Sequence, residues 1–347
     1  MTRVSYKDGL LGLCLGMALM ASGCALHLPG TERLAARSGA VDPLQQWTVI
    51  DGGKTGNILF GYVVMRLVRP VAVAARGSQI YVIDAGQSEL YAIDRERRRI
   101  RRVLDLRSIT RGEITDIYVA ADLSYYLADV TNDRVLHYTS EGRLLSEIHL
   151  MTEVHDLILT GKSVEISVDE RTGMLYVADG YDDDVTIYNS DGVLLSEIGE
   201  RGDSAGKFRG LTAFARSDSV MYVGTRFGAR RVQKFDHTGA FVSALEADTV
   251  TFPAAIAVDE QGRVYVSDNA DNTIKVYAND RLVATLGGTG STPGRFMRIT
   301  DLWIDQGMLY VADSLNARIQ LLPLSAVPGQ IQNPSQNPPS NQTTRGQ

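Results

Sequence analysis

Three acidic side chains, Asp116, Glu165 and Asp301, share one station of a phrase that the chain writes six times. When the six copies are set in register, that station holds Ala72, Asp116, Glu165, Thr212, Ala255 and Asp301 in turn. Carboxylates gathered round one opening repel each other unless a cation or raised pKa values relieve them. Hard oxygen donors of this kind suit Ca²⁺. Asp116, Glu165, Thr212 and Asp301 are therefore a candidate channel site for a metal, with Ca²⁺ the fitting ion, or for another ligand. The competing expectation is a water-filled channel whose polar side chains are solvated. No residue is assigned a catalytic role.

Other stretches suggest less. Arg97, Arg98, Arg99, Arg101 and Arg102 belong to a run with six arginines in eight residues. On an acidic chain such a rim suits anionic headgroups, polysaccharide or an acidic partner. It is equally what blunts an exposed edge strand. Asp182-Asp183-Asp184 reads as a solvated loop ahead of a weak calcium site. Gly287 to Gly294 has phosphate-loop composition but opens no helix, and Gly199 to Phe208 is its counterpart at an equivalent linker. No Ser/His/Asp set stands out. The two cysteines, Cys14 and Cys24, lie outside the repeats, so the body has neither a disulfide nor a thiolate metal site.

What must position these residues is the repeat. Tyr81-Val82-Ile83-Asp84 recurs at Tyr126, Tyr176, Tyr222, Tyr265 and Tyr310, with fourth positions 45, 50, 46, 43 and 45 apart. Each unit runs apolar strand, glycine turn, Tyr-Val strand, Asp/Asn loop, a third strand ending in an aromatic, a turn and a fourth strand. Alternating β-branched and aromatic residues between Gly, Asp and Asn turns signal antiparallel hairpins. Four strands per unit of this length describe a propeller blade, and the fold class is all-β: a six-bladed β-propeller of four-stranded antiparallel blades. The innermost strands carry the acidic station and line the axis. The last unit stops after its third strand, and residues 46–51 resemble the fourth strand of unit five. They are expected to complete blade six and close the ring. Thr55 to Arg69 and Met151 to Lys162 read as long irregular linkers crowding the channel mouth.

Phe252-Pro253, the apolar strand to Val258, Asp259-x-x-Gly262, Tyr265-Val266-x-Asp268 and the loop to Tyr277 resemble an NHL repeat. So does Gly294-Arg295-Phe296 through Asn316-Ala317-Arg318-Ile319. Blade four departs with Thr225 in place of Asp, and blade one lacks Asn-x-Arg. The resemblance spans roughly residues 46–323 and implies the fold far more than a function. Through it, gluconolactonase-type propellers imply a divalent metal at the channel. Peptide-amidating lyases imply zinc held by histidines, but His27, His137, His149, His155 and His237 all fall outside the innermost strands.

The chain of 347 residues has a formal net charge of −6, which argues against a nucleic-acid partner. Residues 1–23 read as a lipoprotein signal peptide: Arg3 and Lys7, the apolar run Gly9 to Met20, then Ala21-Ser22-Gly23-Cys24. That ending resembles a bacterial lipobox, with Cys24 as the lipidation site; Cys14 follows Leu13, the wrong neighbour for cleavage. Ala25 resembles outer-membrane sorting in a Gram-negative cell. Residues 24–45 read as a lipid-anchored tether, 46–324 as the propeller, and 325–347 as a disordered Pro/Asn/Gln-rich tail. The expected function is that of a membrane-anchored envelope lipoprotein binding or scaffolding a protein, peptide or glycan, with no cofactor required. The alternative is a lactonase-like metal-dependent hydrolase or lyase at the channel mouth.

Overall fold

Short β-branched strands between glycine and aspartate turns can bury a face only by stacking sheet against sheet, and a ring of blades does this without leaving an open end. The computed structural model describes residues 46–57, 61–150 and 164–328, and these form that ring. The innermost strands of blades one to six are Pro70–Arg76, Ile114–Val119, Val164–Asp169, Leu211–Arg216, Pro253–Val258 and Ile299–Asp305. Each packs against the next, and the sixth packs against the first. Every blade has a four-stranded antiparallel core. In blade six the outermost strand is Thr48–Ile50, paired with Arg318–Pro323 in the register Val49 to Gln320. The N-terminal strand thus closes the ring as the sequence suggested. The segment from residue 41 onward is a compact unit by itself. It contains both partners of the closing pair, so every strand pairing of the ring lies within it.

The core is divided among the blade interfaces. Among the described residues it falls into six apolar clusters, each wedged between two neighbouring blades. Ile80 and Val82 of blade one meet Tyr310 and Ile319 of blade six, and Ile50 of the closing strand joins them. Trp47 lies edge-on to Phe296, ring centres 5.4 Å apart, between blades five and six. No blade can therefore bury its faces alone.

The recurring aspartates are turn and linker chemistry. Asp84 accepts from the backbone N–H groups of Val68, Arg69, Gly86 and Gln87. Asp268 accepts from Thr251, Phe252 and Ala270. In the Asn-x-Arg loops, Asp313 accepts from the Asn316 amide and Arg318 Nε, and Asp129 does the same with Asn132 and Arg134. The intervening residue, Ala317 or Asp133, sits in the left-handed region at φ 54° or 46°.

The segment from Thr55 to Arg69 corrects the sequence reading. It belongs largely to a hairpin, Gly52–Asn57 with Gly61–Arg66, that extends blade one to six strands. Lys54 bridges in parallel to Arg99, so the hairpin covers the arginine strand and lies on the outer rim, away from the channel. The other expected linker, Met151 to Lys162, lies outside the described residues, as do Cys24, the tether and the segment from 329 onward.

Candidate functional site: the central cavity

Alternate residues of the innermost strands face the axis, because side chains on a strand alternate in direction. The structure brings Asp116, Glu165 and Asp301 to the axis, as the register predicted, but it employs them as latches. Asp116 Oδ2 accepts from Ile166 N of blade three at 2.7 Å, and Oδ1 accepts from Ile117 N. Glu165 Oε2 accepts from Phe214 N of blade four at 2.5 Å. Asp301 Oδ2 accepts from Val73 N of blade one at 2.7 Å, and Oδ1 from Leu302 N. Thr212 donates to Pro253 O of blade five at 2.7 Å. Each side chain thus ties its blade to the following one. Ala72 and Ala255 cannot make such a link.

The three carboxyls keep only partial access to cavity water, deep inside the ring. Burial raises the Asp116 pKa to about 6 against the amide donors that favour its charged form. Glu165 is pushed well above the ordinary carboxylate range, first by burial and then by Asp116 and Asp301. Asp301 rises likewise, by burial and then by Asp116. Burial and mutual repulsion across the axis thus both push these carboxyls toward their protonated form.

Beyond this tier the axis widens into a cavity of about 470 Å³. It runs from the carboxyls toward the first hairpin turns of the blades, where Glu170, Arg171, Ser217 and Asp218 border it. Among the described residues, the interblade linkers enter at the opposite ends of the same strands. The expectation that Thr55 to Arg69 crowds the mouth therefore fails for this cavity; Met151 to Lys162 lies outside the described residues. The next two tiers come from the same alternation. Two residues past the carboxyls stand Tyr118 and Trp303, ring centres 5.5 Å apart. Two residues further along their strands lie Arg76, Asp169 and Arg216. The Arg76 guanidinium pairs with Glu170 at 2.6 Å and donates to Val119 O, while its buried Nε has no hydrogen-bond partner among the described residues. Tyr118 O–H donates to Glu170 at 2.9 Å, and burial followed by Glu170 raises its pKa. Arg216 approaches Asp169 at 3.6 Å and lies over the Tyr176 ring at 4.7 Å. Trp303 Nε1 donates to Ala75 O, which fixes the indole. Sequence reading missed these side chains because it stopped at a single station. The same register carried two and four residues onward would have found them.

The carboxyl tier does not fit a divalent metal. Asp116 and Asp301 each direct both oxygens at backbone amides, and Glu165 directs one. Among the described residues no group of three or more His, Cys, Asp and Glu side chains is placed to hold an ion. Of the described histidines, His137 stacks on Tyr126 with ring centres 4.0 Å apart, away from the axis. In the aspartate loop, Asp183 is buried and accepts from Leu211 N and Arg201 Nε. The arginines from 97 to 102 lie on the outer rim of blade one, far from this cavity.

The ring and its axial cavity define a six-bladed β-propeller. Residues 251–277, in blade five, match the family model of the NHL repeat. Among solved structures, the chain is similar to a protein of unknown function from Bacteroides thetaiotaomicron, with a TM-score of 0.59 and 17% identity over 79% of this chain and 74% of that one. It is similar to a gluconolactonase from Xanthomonas campestris, with a TM-score of 0.52 and 15% identity over 79% and 95%. A virginiamycin B lyase from Staphylococcus aureus gives a TM-score of 0.53 and 10% identity over 80% and 99%. None of the curated proteins matches the sequence. At such identities the likeness is one of fold.

Proposed function

We propose that this propeller is a binding module that takes its ligand, an extended peptide or glycan, at the central cavity on the hairpin-turn face. The observation that supports this most is the employment of the carboxyls: the groups best suited to hold a metal are spent on joining blades. The cavity volume falls in the usual range of ligand pockets. Its wall combines two flat aromatic rings with Arg76, Arg216, Glu170 and Asp169, which offer both stacking and hydrogen bonding. The cations there are already neutralised by carboxylates, an arrangement suited to recognition more than to proton transfer. We further propose that Cys24 carries a lipid, so that the module is displayed from a membrane of the cell envelope.

Probing peptide and glycan arrays with residues 41–347 tests the reading. Ligands should bind with an affinity that falls at least tenfold in Arg76→Gln. Divalent metal retained at one ion per chain and lost in Asp301→Asn, together with lactone or ester turnover, would replace it with the hydrolase reading. In a bacterial host, labelling with a fatty-acid probe should mark the full chain and miss Cys24→Ala.

A further inference from the structure

The hairpin on blade one leaves its outermost strand, Gly61–Arg66, bare. Tyr62, Val63 and Val64 are 49%, 66% and 57% exposed. Successive residues of a strand point to opposite faces, so three in a row this open mean a strand uncovered on both sides, and among the described residues it has no partner along its outer edge. Natural proteins normally blunt such an edge with charge, a bulge or a covering element.

Register shows what accompanies it. Lys54 pairs with Val64 on one side and with Arg99 on the other, which puts the three on one face of the sheet. Tyr62 and Arg101 belong to the same face, each two residues along from a member. Arg99 donates to the Tyr62 hydroxyl at 2.9 Å and lies 5.5 Å from its ring centre. Among the described residues, Arg98 and Arg101 donate to the neutral carbonyls of Val49 and Ser140. Arg97 and Arg102, by contrast, are paired with Asp94 and Glu89. Across residues 51–66 and 94–105 there are eight basic and four acidic side chains, in a chain whose net charge is −6. The positive charge is therefore concentrated at an edge that also exposes apolar and aromatic surface.

We propose that this outer edge of blade one docks onto an anionic lipid surface. Basic side chains near a membrane are drawn to acidic headgroups, and tyrosine and valine partition into the headgroup region beside them. Charge complementarity selects this occupant. A second copy paired along the same edge would bring Lys54, Arg66 and Arg99 of both chains together, like charge against like charge. The chain also enters the ring beside this edge, through Thr48–Ile50, whose Val49 carbonyl is held by Arg98. The inference goes beyond the cavity's binding role and does not depend on it, nor on a lipid at Cys24.

Co-sedimentation of residues 41–347, which lack Cys24, with vesicles of mixed phosphatidylcholine and phosphatidylglycerol tests it. Binding is expected, reversed by salt, with none to phosphatidylcholine alone. The double variant Arg99→Glu with Arg101→Glu should weaken it by roughly tenfold or more, and so should Val63→Asp with Val64→Asp. Thermal melts of both variants check that the ring remains folded. No binding to anionic vesicles, equal binding to neutral ones, or binding unchanged in both folded variants would overturn the proposal. Dimers in solution that Val63→Asp disperses, without vesicle binding, would instead make the edge a self-pairing surface.

Discussion

At the residue scale, the acidic station serves two demands that pull against each other. As hydrogen-bond acceptors Asp116, Glu165 and Asp301 hold neighbouring blades; as charges they repel across the axis. A carboxyl whose folded pKa lies above its unfolded value takes up a proton on folding. Its favourable share of stability is complete below the unfolded value, around pH 4, and is lost as pH rises through the folded one, about 6 for Asp116 and well above the ordinary carboxylate range for the other two. Glu165→Gln keeps an acceptor for Phe214 N and removes the charge. It should raise the melting temperature near neutral pH, by the equivalent of about 1 kcal/mol, and have little effect around pH 4. Asp301→Asn differs, because both oxygens are in use and an amide group must turn a donor toward Val73 N or Leu302 N. It should cost roughly 1–3 kcal/mol at either pH, read by urea denaturation. The sequence revealed which residues meet at the axis, since register alone decides that. Their direction along the wall, toward a backbone amide of the next blade, depends on how blades stagger, and no local pattern encodes it.

At the element scale, two linkers show how firmly a glycine can be required. Gly199–Phe208 and Gly287–Phe296 fold alike, each returning a phenylalanine to pack under its leading glycine. In both, a glutamine of the third strand accepts from a loop N–H and donates to a loop carbonyl: Gln233 with Gly206 and Lys207, Gln320 with Gly294 and Arg295. A Cβ on Gly287, at φ +92°, would meet the Phe296 ring at 2.4 Å. Gly287→Ala should therefore destabilise by about 2–4 kcal/mol, through strain and displacement of a fully buried ring, measurable as a lower melting temperature. That these loops were equivalent linkers was legible from the repeat. The blade-one hairpin was not, because Gly52, Gly53 and Gly56 dilute the strand signal and only one parallel bridge ties it to Arg99. Tyr62-Val63-Val64 did carry β-forming residues, but no repeat partner flagged them.

At the scale of the whole molecule, stability rests on six interfaces that all depend on closure. The fold was legible because one phrase written six times fixes blade number, strand order and the shared last blade. The short strand Thr48–Ile50 holds the ring shut, with Ile50 fully buried at the seam of blades six and one. Ile50→Ala should cost about 2–5 kcal/mol. Starting the chain at residue 52 should turn one sharp thermal transition into a broad one, with amide exchange rising first along Arg318–Pro323. The closing pair has a further consequence in time. Its partners stand at opposite ends of the sequence, so a chain emerging from the ribosome cannot shut its ring until Arg318–Pro323 has been made. Every earlier length is an open arc with a sticky seam, which stays threadable but needs protection from other unfinished chains. Synthesis order thus makes the last strands of this protein the moment at which it commits to its shape.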